Sequence, residues 1–153
     1  MDEKDYAIDD KIILPIYLET TFKYKKIQKK QENNMYIVPI NFNEWRLMNR
    51  FTYSKIKSLY YDNIIDQLEW KTFKTPVSIV YNLYYKNISS DLNNWVSMVD
   101  KFFCDCLQKS WCIEDDTVLY ITETIHRVKW QDRINPRIEV LINTVEKWLT
   151  QNT

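Results

Sequence analysis

The chain has 153 residues, about the size of one domain, and it is 45% hydrophobic, 27% charged and 15% aromatic. These fractions exclude a disordered polar chain, and the length leaves room for one core but not for two complete domains. Lysine plus arginine and aspartate plus glutamate both number 21, so the net charge is zero. Any nucleic-acid surface therefore requires local segregation of positive charge.

The sequence contains no glycine. A P-loop and a dinucleotide-binding turn both place glycine where a phosphate approaches the backbone, so both kinds of site are excluded. Tight turns must use asparagine or aspartate at positive φ instead.

The three cysteines and single histidine lack the spacing of a zinc cluster, so we expect reduced thiols that pack in the core. The acidic start and the lack of a long apolar run favour a cytoplasmic protein that does not enter a membrane.

The first 42 residues are predicted to form two strands joined by a basic loop. Residues 12–24 form an extended run that is interrupted at Pro15, and residues 35–40 form the second strand. The loop between them is rich in lysines, which repel one another and favour exposure to solvent. These lysines are Lys23, Lys25, Lys26, Lys29 and Lys30.

The next region, residues 43–75, is predicted to contain a long helix. Residues 43–70 lack proline and carry apolar side chains mostly at helical spacing, which indicates one long helix or a helix with a bent start. Its first half concentrates positive charge. The cations there are Arg46, Arg50, Lys55 and Lys57. Residues 76–86 are rich in valine, isoleucine and tyrosine in both phases, so we expect a central strand.

The most regular helical pattern lies in residues 91–109, where Ser90 or Asp91 can act as N-cap. The apolar stripe consists of Leu92, Trp95, Val96, Val99, Phe102, Phe103, Cys106 and Leu107. At about 100° per residue, the opposite face gathers Asp91, Asn94, Lys101 and Asp105. The ordinary interpretation of this face is a solvated surface with an i,i+4 pair between Lys101 and Asp105.

The last third completes the predicted fold. A strand is expected at 117–128, followed by a polar turn and a strand at 137–142, and Asn143 is expected to cap a closing helix in residues 143–153. The single histidine, His126, is expected to point outward from its strand or to contact a phosphate. We therefore predict one α+β domain over residues 1–153. It has a mixed sheet of four to five strands, two to three helices, and a strand-helix-strand-strand core at 76–142.

Two adjacent carboxylates, Asp115 and Asp116, precede the strand predicted at 117–128. Such a pair usually lies in open solvent, in a turn, or is neutralised by a divalent cation. Asp91 opens the helix that comes before this pair. Together these carboxylates offer the oxygen ligands that Mg²⁺ uses, and a phosphodiester can supply the remaining oxygens.

The order of these residues resembles the signature of the RusA-like Holliday junction resolvases. That signature is Asp-x-Asp-Asn, a helical lysine, Asp-x-Leu, a short turn, and Asp-Asp before a strand. The matching segments are Asp91-Leu92-Asn93-Asn94, Lys101, Asp105-Cys106-Leu107 and Ile113-Glu114-Asp115-Asp116. The similarity covers residues 82–142 well. Residues 135–140 resemble the closing strand of the family, and Asn43 with its basic helix resembles the N-terminal region.

The resemblance implies a homodimeric endonuclease that uses Mg²⁺, or Mn²⁺ as the alternative metal, to nick opposing strands of a four-way DNA junction. By this resemblance Asp91 and Asp116 hold the metal and Asp115 and Asn93 complete its ligands. Lys101 stabilises charge on the phosphate, and two further residues support the site, Asn94 and Asp105. Contacts to the DNA backbone are expected from the basic loop and the basic helix. Those residues are Lys23, Lys25, Lys26, Lys29, Arg46, Arg50, Lys55 and Lys57.

Two departures from the family pattern keep other functions open. Asn93 stands where the family has a second aspartate, so one negative charge is missing from the expected metal site. Lys101 follows Asn94 by seven positions, whereas the family lysine follows by three. The alternatives are a catalytically weak or inactive protein that binds DNA junctions, and a protein-interaction module without nucleic acid.

Overall fold

The computed structural model describes residues 11–26 and 28–145. In chain order the elements are β1 Ile12–Pro15, β2 Tyr17–Thr20, β3 Tyr36–Pro39, α1 Phe42–Trp45, α2 Arg50–Leu68, β4 Val77–Tyr85, α3 Leu92–Lys109, β5 Ile121–Gln131 and β6 Arg137–Thr144. The strands form one four-stranded mixed sheet and one two-stranded sheet. This arrangement confirms the predicted α+β class.

The larger sheet has the strand order β1-β6-β4-β5. Strand β4 lies between two neighbours, as its continuous apolar sequence predicted. It runs antiparallel to β6 and parallel to β5. Because two parallel strands cannot be joined by a hairpin, the chain must cross back between them, and α3 makes this crossing. Strands β2 and β3 pair with each other and form the smaller sheet.

The core lies between the larger sheet and the helices α2 and α3. Tyr81 of β4 is fully buried and packs edge-on against Phe103 of α3. Tyr60 of α2 stacks on Phe102 of α3 with ring centroids 5.2 Å apart, and its hydroxyl donates to the carbonyl oxygen of Pro15 at 2.9 Å. Burial of each such large side chain contributes about 1.5–3 kcal/mol. The apolar stripe predicted for α3 is therefore its core face.

The helix predicted over residues 43–70 is divided into α1 and α2, so its start is bent and the single long helix is wrong. Asn41 caps α1 by accepting from the backbone N–H of Glu44 at 2.9 Å. Asn49 caps α2 by accepting from the backbone N–H of Thr52 at 2.8 Å. Each asparagine side chain accepts a hydrogen bond from a backbone N–H three residues later, which favours the start of a new helix. At Asn49 this competes with continuation of α1 and explains the break. None of the described helices has the length and apolar character that a bilayer crossing requires.

Two predicted boundaries near the end of the chain are displaced. Strand β5 begins at Ile121 because the carbonyl of Thr117 accepts from the N–H groups of Tyr120 and Ile121, both at 2.9 Å, and closes a turn. Asn143 does not cap a helix, since it lies within β6 and pairs with Ser78. The rest of the predicted closing helix, from residue 146 onward, lies outside the described residues.

Three residues of the described segments have positive φ, namely Asn34 at 65°, Trp70 at 66° and Trp111 at 61°. Asn34 follows the expectation for a chain without glycine. Trp111 follows Ser110, the C-cap of α3, and the N–H of Cys112 bonds the carbonyl of Leu107 at 2.9 Å. This bond closes a Schellman motif, whose left-handed position glycine usually occupies. Holding a residue with a Cβ there costs about 1–2 kcal/mol.

The sheet face opposite α3 carries an ion cluster around a buried glutamate. The Glu139 side chain is only 8% exposed and lies between Lys11 Nζ at 3.0 Å and Arg137 Nη2 at 2.9 Å. Arg137 also reaches Asp132 Oδ2 at 2.9 Å. Burial alone would raise the pKa of the Glu139 carboxyl, but its hydrogen bonds and charge interactions with the two cations outweigh burial and hold the pKa below the usual value.

We predict that Glu139→Gln makes the protein less sensitive to acid. A carboxyl with a lowered pKa in the folded state stabilises that state above its unfolded pKa, and this stabilisation is lost as the pH falls through the folded pKa. The free energy of unfolding should therefore fall more steeply in the parent than in Glu139→Gln between about pH 6 and pH 3. Urea unfolding at several pH values measures this, with the exposed Glu69→Gln as control. Parallel curves for parent and Glu139→Gln would contradict the assignment.

Candidate functional site

An open polar depression of about 380 Å³ lies where α1 meets the start of α3. Its lining residues are Phe42, Asn43, Asp91, Asn93, Asn94 and Ser97. The backbone N–H of Asn43 donates to Asn94 Oδ1 at 3.2 Å, and this bond connects the two helices. The structure thus brings together three of the predicted site residues, Asp91, Asn93 and Asn94.

Asp91 is the N-cap of α3, as predicted. Its Oδ1 accepts from the backbone N–H groups of Asn93 at 2.9 Å and Asn94 at 3.3 Å. Its Oδ2 makes no hydrogen bond to any described residue, and the residue is exposed. One carboxylate oxygen therefore caps the helix, while the other keeps no hydrogen-bond partner among the described residues.

Arg46 lies beside this depression and Lys101 lies farther along α3, and both side chains contact residues of α1. Arg46 Nη2 donates to Asn43 Oδ1 at 2.6 Å. Lys101 Nζ lies 5.1 Å from the ring centroid of Trp45, although Lys101 belongs to α3. Seven residues separate Asn94 from Lys101, which corresponds to about 10 Å along the helix. The depression therefore combines a carboxylate and amide oxygens with one adjacent positive charge, that of Arg46, and Lys101 lies farther along α3.

The acidic pair Asp115 and Asp116 lies past the other end of α3. Asp115 Oδ1 accepts from the backbone N–H of Asp116 at 2.8 Å and from Gln108 Nε2 at 3.5 Å. The 18 residues of α3 span about 27 Å, so the helix separates this pair from Asp91. A single chain does not bring the two acidic groups together. Among the described residues, no group of three or more His, Cys, Asp or Glu side chains is placed to hold a metal ion.

The predicted basic loop is attached to α1 by a partly buried ionic contact. Lys25 Nζ lies 2.7 and 2.8 Å from the two carboxylate oxygens of Glu44. The hydroxyl of Tyr24 donates to the same carboxylate. Burial raises the pKa of Tyr24, and the hydrogen bond to Glu44 raises it further. Lys25 is therefore engaged in an ion pair rather than exposed as predicted. The lysines that remain exposed in this loop are Lys23, Lys26, Lys29 and Lys30.

The cations of α2 have different surroundings. Arg50 and Lys55 are exposed, and Lys55 Nζ lies 5.2 Å from the ring centroid of Phe22. Lys57 Nζ forms an ion pair with Asp105 Oδ2 at 2.8 Å, and this hydrogen bond raises the pKa of Lys57. Asp105 therefore pairs with α2 and not with Lys101, which corrects the i,i+4 pair predicted within α3.

A buried polar network between β4 and α3 was not predicted. Asp100 Oδ1 accepts from the hydroxyl of Tyr81 and from Cys104 Sγ, the latter at 3.3 Å. Burial raises the pKa of the Cys104 thiol, and the charge of Asp100 adds to this rise, so the thiol is a poor nucleophile. The one signal in the sequence was a tyrosine in a central strand, because a buried hydroxyl requires a hydrogen-bond partner.

His126 packs against this network rather than pointing outward as predicted. Its ring lies edge-on to Tyr81 with centroids 5.6 Å apart. Its Nε2 is buried and has no hydrogen-bond partner among the described residues. The alternation along β5 therefore directs His126 to the face that α3 covers.

No protein-family model matches this chain, and no curated protein matches it either. Function must therefore be inferred from the side chains of the depression, from the cations near it, and from the sequence motifs that resemble a known family.

We predict that Asp91→Asn leaves the stability of the protein nearly unchanged, whereas Asp91→Ala lowers it by about 1 kcal/mol. Asparagine can accept the same two backbone hydrogen bonds as an N-cap, but alanine cannot. Urea unfolding of both variants measures the difference, and the exposed Asp62→Ala serves as control. A large loss of stability in Asp91→Asn would mean that the negative charge itself stabilises the fold. In that case a loss of activity in this variant could not be assigned to the function of the carboxylate.

Proposed function

We propose that the protein is a Mg²⁺-dependent, structure-selective endodeoxyribonuclease that binds and nicks four-way DNA junctions, with Mn²⁺ as the alternative metal. One observation carries this proposal: the Oδ2 of Asp91, which has no described hydrogen-bond partner, shares a depression with amide oxygens, and Arg46 bonds Asn43 in the lining of that depression. A phosphodiester requires cations for its oxygens, and a hard metal ion requires oxygen ligands. Both requirements can be met at this position.

The donors of the depression suit a magnesium ion that is completed by its substrate. Mg²⁺ commonly uses one or two carboxylates, and phosphate oxygens and waters fill its other positions. Asp91 and the side-chain carbonyl of Asn93 would hold it. When bound, the metal lowers the pKa of an attacking water and polarises the phosphate. Lys101 stabilises the negative charge that develops on the phosphate oxygens.

The cations around the depression favour a polyanionic substrate. Glu44 of α1 holds Lys25 and thereby keeps the basic loop next to α1, which also lines the depression. Exposed cations flank Lys25 in the loop, follow α1 and begin α2. They are Lys23, Lys26, Lys29, Arg46 and Arg50. A neutral chain can bind DNA through such local segregation of charge.

A second candidate function is junction binding without cleavage, and Asn93 favours it. The depression contains one carboxylate where the family signature has two, so its affinity for a metal ion is lowered. Nicking of a labelled synthetic junction in Mg²⁺ separates an active nuclease from a binding protein. Binding of the same junction in EDTA separates both from an interaction module. Asn93→Asp should increase nicking if the missing charge limits the reaction.

We predict that Lys101→Ala abolishes nicking of a four-way junction and weakens junction binding less than about threefold. The ammonium group acts on charge that appears only in the transition state, whereas several other cations share the ground-state contacts. The matched control is Lys109→Ala, an exposed lysine near the other end of the same helix. Equal losses of nicking and binding in Lys101→Ala would move this residue to the binding surface.

We predict that replacing Lys23, Lys26 and Lys29 together by alanine lowers the salt dependence of DNA binding. Each neutralised phosphate contributes about 0.9 to the slope of log K against log salt on duplex DNA, so the slope should fall by about two to three. Duplex and junction should be affected alike, because backbone contacts carry no direct sequence preference. Titrations in EDTA at several salt concentrations measure the slope. Lys74→Ala with Lys109→Ala is the control, and an unchanged slope in the triple variant would place the loop away from DNA.

A further inference from the structure

A polar cavity of about 190 Å³ lies between α2 and α3, away from the depression around Asp91. Both helices contribute side chains to its lining. One of them, Cys106, follows Asn94 by 12 residues, which corresponds to about 18 Å along α3. Burial raises the pKa of Cys106 to about 12, so this thiol stays neutral. The cavity is therefore separate from the depression and has a chemistry of its own.

Two serines leave this cavity open and supply it with hydroxyl groups. Ser54 and Ser58 lie one helical turn apart on α2, and both line the cavity. Elsewhere the same two helices pack through large side chains, as in the stack of Tyr60 on Phe102. No hydrogen bond joins either serine hydroxyl to a described residue. Both hydroxyls are therefore available to donate to a ligand.

Two lysines of the lining are held in place and still have donors to offer. Lys57 Nζ contacts Asp105 Oδ2 at 2.8 Å, and an ammonium group has three hydrogens to donate. Lys109 Nζ lies 4.1 Å from the ring centroid of Tyr61, a cation–π contact that uses none of its hydrogen bonds to oxygen. The cavity therefore combines two positive charges with two hydroxyl donors.

The carboxylate of Asp105 restricts which anion suits this cavity. Its Oδ2 accepts from Lys57, whereas its Oδ1 has no hydrogen-bond partner among the described residues. A carboxylate repels an anion unless that anion carries a proton that it can donate to the carboxylate. Phosphate at neutral pH carries such a proton, whereas sulfate does not. The lining therefore favours phosphate over sulfate.

We propose that the cavity between α2 and α3 binds a phosphate group that retains a proton, either free phosphate or the end group of a small ester. The two serine hydroxyls and the two ammonium groups donate to its oxygens, and its proton bonds Asp105 Oδ1. Two lysines and one aspartate give the lining a net charge of +1. Sites for larger ligands have volumes above about 300 Å³, so the rest of an ester would stay in solvent.

This inference does not depend on the proposed nuclease function. The phosphodiesters of a DNA backbone carry no proton at neutral pH, so they cannot donate to Asp105. The ligand of this cavity therefore belongs to a different class from the polyanion proposed for the depression.

Calorimetric titration of the full chain with sodium phosphate at pH 6 and constant ionic strength tests the site. We expect one phosphate per chain with a dissociation constant below about 1 mM, and sulfate should bind at least about tenfold more weakly. No phosphate binding, or equal binding of sulfate, would overturn the proposal. Methyl phosphate, of which about half is protonated at this pH, distinguishes the two sources. Binding as tight as that of phosphate assigns the cavity to an ester, and binding more than about tenfold weaker assigns it to free phosphate.

Filling the cavity separates a shaped site from a general attraction to lysines. Ser58→Leu removes a hydroxyl and occupies the space without changing the charge, so phosphate binding should weaken by about tenfold or more. Lys109→Gln should weaken it to a similar extent. The matched controls are Ser89→Leu, in the exposed loop before α3, and Lys74→Gln, and both should bind phosphate as the parent does. Urea unfolding checks that each variant is folded. Undiminished binding in Ser58→Leu and Lys109→Gln, or equal losses in their controls, would overturn the site.

Discussion

The parallel pairing of β4 with β5 is the constraint on which the rest of the structure depends. Parallel neighbours force the chain to cross back over the sheet, and α3 is the crossover. The helix must bury one side against the sheet, which accounts for its apolar stripe and for the edge-on packing of Tyr81 against Phe103. It also fixes the length that separates Asp91 from Asp116. The positions of Asp91 and Asp116 thus follow from the direction of one strand.

Zero net charge in this protein does not mean a uniform surface. Several carboxylates form ion pairs within the fold: Glu44 with Lys25, Asp105 with Lys57, and Glu139 with Lys11 and Arg137. The basic loop and the residues around α1 keep exposed cations after these pairs have formed. Attraction for a polyanion can therefore arise from the way charges are paired, although their sum is zero.

The sequence predicted those features that depend on local periodicity or on a single side chain. The apolar pattern identified α3 and its core face, the two-phase apolar run identified the central strand, and the position of Asp91 identified an N-cap. Features that depend on tertiary partners could not be predicted. Asp105 had an apparent partner four residues away in Lys101, but α2 brings Lys57 closer. The motif order suggested that Asp91 and Asp116 share a site, yet spacing along a sequence does not reveal the direction of the next strand. The inward position of His126 likewise depends on where β5 begins.

The absence of glycine shifts part of the conformational free-energy cost of folding from the denatured state to the native state. A chain without glycine samples fewer backbone conformations when denatured, so folding loses less backbone entropy. However, Trp70 and Trp111 adopt left-handed backbone angles just after the C-terminal ends of α2 and α3, and their side chains are almost fully exposed. At these two helix ends the free-energy cost is therefore backbone strain in the native state. With glycine at these positions, the cost would instead be the larger backbone entropy that the denatured chain loses on folding.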